Sequence, residues 1–109
     1  MSVDKTNVVD AIGVDIQTGE LVLTISDHLE WTGSDNEHLL LLQEKLNTYL
    51  RFVESGEVLK SYPDAKGKDM VIDVVFMCAL NEQARKFLCQ VATIVEGVGM
   101  KLRHHQFGN

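Results

Sequence analysis

An α+β two-layer sandwich is the fold this sequence predicts, with two helices on one face of a roughly five-stranded, mostly antiparallel sheet. Three observations predict it. Residues 7–16 and 21–26 alternate apolar and polar on either side of a turn signal. Two longer stretches, within 34–55 and 81–99, place apolar residues at three- and four-residue spacing, and residues 70–80 are almost continuously apolar. The order is ββαββαβ, with no internal repeat or low-complexity linker, and 109 residues make one domain spanning 1–109.

In the first strand Val8, Ile12, Val14 and Ile16 share one parity, and in the second Leu21, Leu23 and Ile25 do. Gln17-Thr18-Gly19-Glu20 supplies the turn, Gly19 being free to take positive φ. With Thr18-Gly19 as loop residues, Ile16 faces Leu21, Val14 faces Leu23, Ile12 faces Ile25, and Asp10 falls opposite Asp27. Ser34-x-x-Glu37 reads as a capping box that starts a helix. That helix runs to about Ser55 and stops at Gly56, with Leu39, Leu42, Leu46, Leu50 and Val53 as its inward stripe. Residues 57–62 form a weak strand, ended by a turn around the single proline, Pro63. Residues 70–80 have the near-continuous apolar character of a central strand covered on both faces. Asn81 caps a second helix with Ala84, Phe87, Leu88, Val91, Val95 and Val98 inward, and residues 100–107 form the last strand.

A net charge of −6 and a pI near 5.0 disfavour nucleic acid or an anionic membrane surface as partner, since both require a basic footprint. They suit a basic protein partner. Residues 1–6 lack the apolar segment of a secretory signal, and no apolar run reaches the roughly 20 residues needed to span a bilayer. Cys78 and Cys89 form no C-x-x-C and read as two free thiols, so a reducing cytoplasm is the expected compartment.

The densest chemistry lies in residues 27–38, which hold two of the four histidines and the lone Trp31. Two carboxylates opposed on a core-facing surface, Asp10 and Asp27, require a cation, a shared proton, a metal or access to water. His104 shares parity with Met100 and Leu102 and points toward the same layer. The competing reading makes Asp27 a turn residue and puts Asp10 at a frayed strand start. His104 and His105 are adjacent in a strand and point to opposite faces, and no metal-ligand spacing occurs, so no metal or cofactor is expected. Nucleophile elbows, phosphate loops and Cys–His neighbours are missing, and no catalytic residue is assigned. Trp31, with His28 and Glu30 beside it, is either an anchor folded back on the core or an exposed contact residue.

Asn7-Val8-Val9-Asp10, Asp27-His28-Leu29-Glu30-Trp31 and the run from His38-Leu39 through Gln43-Glu44-Lys45-Leu46-Asn47 resemble a family of small bacterial proteins catalogued only as a domain of unknown function. The resemblance covers nearly the whole chain and implies a bacterial cytosolic protein. It implies no activity.

The expected function is a small acidic interaction module without catalysis, such as an inhibitor or immunity-type partner of a basic protein. The alternative is a ligand binder or unrecognised enzyme with a site around Asp10, Asp27 and His104. A homodimer is expected as well. The odd face of residues 71–79 is apolar apart from Asp73, and either that sheet face or the first helix would need covering.

Overall fold

The computed structural model describes residues 5–31 and 35–108. Four strands form one sheet in the order β1 (Ala11–Val14), β2 (Leu21–Asp27), β3 (Met70–Phe76) and β4 (Lys101–Gln106). Helices α1 (Asp35–Glu54) and α3 (Glu82–Gly97) cross between the parallel strands, and a short α2 (Glu57–Ser61) follows α1. The α+β class holds. The expected fifth strand and the mostly antiparallel sheet do not.

Only β1 and β2 are antiparallel; β2–β3 and β3–β4 are both parallel. Parallel neighbours need a long crossover, and residues 28–69 supply it. The strand expected at 57–62 is therefore α2, part of that crossover. Glu57, Leu59 and Lys60 are good helix formers, Val58 is buried, and Gly56 at φ +83° turns the chain from α1 into the new helix. The apolar run of β3 is the usual signature of parallel pairing, and β2 and β4 flank it on both sides.

The hairpin keeps its predicted parity but shifts by two residues. Val14 faces Leu21 and Ile12 faces Leu23, so Asp10 lies beyond the end of β1 and not across from Asp27. The cause is the loop. Asp15 N–H donates to Glu20 C=O at 2.8 Å, Gly19 N–H donates to Asp15 C=O at 2.7 Å, and the Asp15 carboxylate accepts from Gln17 N–H. Asp15 thus ends the ladder and leaves Ile16 at the tip, 95 % exposed.

The core lies between α1, α3 and the sheet face carrying Leu21, Leu23, Ile25, Ile72, Val74 and Phe76. Asn81 caps α3 as expected, its Oδ1 accepting Ala84 N–H at 2.8 Å. The proposed capping residue Ser34 lies outside the described residues. In α1 the buried stripe is His38, Leu42, Lys45, Leu46 and Tyr49, turned relative to the predicted Leu39–Val53 stripe and carrying three polar side chains. On the other sheet face Val71 is buried and Val75 half-buried, bordered by Glu20, Asp73, Lys101, Arg103 and His105. This face carries charged side chains tied to one another, not the bare apolar patch expected of a monomer. No helix among the described residues is long and apolar enough to cross a membrane.

Candidate functional site

Three buried or half-buried carboxylates each draw their own basic partner. Asp27, the last residue of β2, points into the core, where His38 reaches it from the first turns of α1. Nε2 of His38 lies 2.5 Å from Asp27 Oδ2, with the two side chains 3 % and 1 % exposed. Nδ1 lies 3.2 Å from the Glu30 carbonyl, an acceptor, so Nδ1 carries hydrogen. A further proton then has to lie on the line between Nε2 and Oδ2. It belongs either to an imidazolium facing a carboxylate or to a carboxylic acid facing a neutral imidazole. The second oxygen, Oδ1, accepts Leu29 N–H at 3.1 Å and fixes the turn out of β2. Trp31 completes the cluster by stacking on His38, the ring centroids 3.5 Å apart and the planes 13° from parallel. Trp31 is therefore folded back on the core, and its Nε1 has no partner among the described residues.

The second cluster holds the segment before β1 against α1. Lys45 is fully buried and donates to the carbonyls of Lys5 at 2.6 Å and Val8 at 2.5 Å. Its ammonium also sits 2.8 Å from Asp10 Oδ2, an ion pair without hydrogen-bond geometry. One turn on, Thr48 donates to the Thr6 carbonyl, and the Tyr49 hydroxyl accepts Asp10 N–H at 3.0 Å while donating to the Thr24 carbonyl at 2.5 Å. Positions 45, 48 and 49 share one helix face, so a single stripe of α1 captures residues 5–10 as a strap.

Burial and, to a lesser degree, the neighbouring Asp10 charge push the Tyr49 hydroxyl up to about 12. The folded state therefore favours the protonated phenol over an unfolded reference near 10. Stability from this group is complete below about pH 10 and is lost as pH rises from about 10 to 12. Urea midpoints measured at pH 8 and pH 11 should show this loss in the wild type, and Tyr49→Phe should remove the part due to the phenol. At neutral pH the same substitution should cost about 1–3 kcal/mol, since the Thr24 carbonyl loses its donor and Asp10 N–H its acceptor.

The third cluster is on the sheet face away from the helices. Asp73 Oδ1 lies 3.1 Å from His105 Nδ1 and Oδ2 lies 3.5 Å from Arg103 Nε, while Glu20 lies 3.3 Å from Lys101 and 3.8 Å from Arg103.

The residues singled out from sequence are thus dispersed. Asp10 belongs with Lys45, Asp27 with His38 and Trp31, and His104 lies on the edge strand β4, exposed, its ring 6.0 Å from that of Phe76. His28 and Glu30 are exposed beside the Asp27 turn. No group of three His, Cys, Asp or Glu side chains among the described residues is placed to hold a metal ion. Cys78 and Cys89 are both free. His38, Lys45, Tyr49 and Asp73 were missed as site-forming residues. For the first three a signal existed, because 38, 42, 45 and 49 continue one helical stripe through Leu42.

A protein-family model described as a family of unknown function, DUF6572, matches residues 1–108. The chain belongs to that family. The match takes in all three clusters of this DUF6572 member, from the strap to β4. No curated protein and no solved structure matches the chain.

Proposed function

We propose that this DUF6572 member is a non-catalytic protein-interaction module that docks a basic partner at the start of α1. The supporting observation is a set of three exposed carboxylates with no ion-pair partner among the described residues, Glu30, Glu37 and Glu44. Glu37 and Glu44 are seven residues apart, about 10 Å along one side of α1. The hydrogen bond between His38 and the Glu30 carbonyl brings Glu30 beside the same turn. Leu40, 55 % exposed, stands between Glu37 and Glu44 as an apolar contact. Behind this flank the Asp27–His38–Trp31 cluster is sealed and fixes the helix start rigidly. An inhibitor or immunity-type protein masking a basic surface fits this chemistry, and a cytoplasmic location fits two free thiols.

Lining Glu30, Glu37 and Glu44 with opposite charge is the direct test. Tagged wild type, purified from its native host at low salt, should retain a stoichiometric basic protein that elutes as salt is raised. Glu37→Lys with Glu44→Lys should abolish retention and leave the protein folded, with a slightly lowered melting temperature because a lysine in the first turn opposes the helix dipole. Retention unaffected by the double substitution would contradict the assignment. So would the absence of any protein partner together with a melting temperature raised by metal or a small ligand. The rival reading, one ligand site shared by Asp10, Asp27 and His104, has no such support, because Asp10 and Asp27 belong to different clusters and His104 to none of the three.

A further inference from the structure

A second surface has the opposite character. Between α1 and α3 lies an open groove of about 360 Å³. Leu46, Leu50, Phe87 and Val91 form its floor, and Ile94, 60 % exposed, projects beside it. Its lip is three amides, Gln43, Asn47 and Gln90. Every residue lining it is uncharged, in a chain where 24 % of residues are charged. The other described cavities differ. The one under the strap includes Arg51 and Glu57, that beside β4 includes Glu20, Glu96, Lys101 and Arg103, and that on the open sheet face includes Asp15 and Arg103.

We infer that the α1–α3 groove is the contact between two copies of this chain, paired about a twofold axis. The occupant follows from charge. Two molecules of net charge −6 repel over most of their surfaces, so self-association is favoured where neither copy places a charge. An amide both donates and accepts, so a lip of Gln and Asn is complementary to its own copy, whereas a carboxylate or ammonium lip requires a different partner. The groove offers a basic partner nothing to pair with. The other self-contacts are poorer. Antiparallel pairing of two β4 edges would bring Lys101, Arg103 and His105 of one copy against the same residues of the other. Stacking the open sheet faces would bury the Asp73 and Glu20 ion pairs. This pairing uses a surface distinct from the acidic flank and goes beyond the reading proposed above.

Sedimentation velocity over a range of concentrations tests it. Wild type should shift from monomer to dimer within the micromolar range. Gln43→Glu with Gln90→Glu should weaken dimerisation at least 10-fold, and Gln43→Lys with Gln90→Lys should do the same. Gln43 and Gln90 are both exposed, so neither variant should lose its fold. An equimolar mixture of the acidic and basic variants should recover the dimer, whichever lip residue faces which. Wild type that stays monomeric to several hundred micromolar would overturn the inference. A dimer indifferent to both variants would overturn it too. Either result leaves the salt-dependent contact at Glu37 and Glu44 to stand or fall by its own experiment.

Discussion

Lys45→Ala is expected to destabilise the protein by about 3–5 kcal/mol, because it strands a buried carboxylate. Asp10 is 3 % exposed, and the Lys45 ammonium is its cationic partner. The substitution also removes the donor to the Lys5 and Val8 carbonyls and leaves a cavity under the strap. For a domain of this size the loss is a large fraction of total stability, about 5–15 kcal/mol. Urea denaturation at pH 7 should show it as a lowered midpoint. Asp10→Asn should relieve part of the Lys45→Ala penalty, so the double variant should be more stable than the sum of the single losses. A cost of about 0.5 kcal/mol or less would put the Asp10 carboxylate in water and contradict the buried pair.

His38→Ala should have a comparable effect, about 3–5 kcal/mol, for the same reason at the other cluster. Asp27 is 1 % exposed and would lose the side chain that faces Oδ2. Trp31 would lose its stacked neighbour, and since it is the single tryptophan its fluorescence reports this cluster alone. Emission should move to longer wavelength in His38→Ala as water reaches the indole, and should remain unchanged in Lys45→Ala while that variant is folded. Equal emission shifts in the two variants would mean that the clusters are not separate.

How much of this was legible in the sequence depends on which force set each feature. Strand parity, the Asn81 cap and the end of α1 before Gly56 were all legible, because each is local: alternation, a side chain three residues from its acceptor site, a glycine at positive φ. The hairpin register was not, because it turned on whether Asp15 would hydrogen-bond into the loop, two residues before the turn signal. The parallel pairing was hidden because β3 reads equally as a central strand of either sense, and Val58-Leu59 reads equally as strand or helix. The site was half legible. Asp10 and Asp27 were read as opposed carboxylates needing a cation, a shared proton, a metal or water, against a competing reading as a turn residue and a frayed strand start, and the opposition itself is lost with the shifted register. Their partners were missed because His38, Lys45 and Tyr49 sit on the buried stripe of α1, where polar residues are ordinarily assigned to solvent. Asp73 was read as an exception on an apolar face, yet it is the residue that ties Arg103 and His105 across it.

Asp10 and Asp27 are neutralised separately within the fold, by Lys45 and His38, which leaves binding to the surfaces of α1 and α3. The energetic coupling between those two carboxylates tests this most directly. Asp10→Asn, Asp27→Asn and the double variant, unfolded in urea at pH 7, close the cycle. Additivity to within about 0.5 kcal/mol is the predicted result, with each single substitution destabilising. A coupling above about 1 kcal/mol, or stabilisation by either single substitution, would mean that the two carboxylates share one site, and would contradict it.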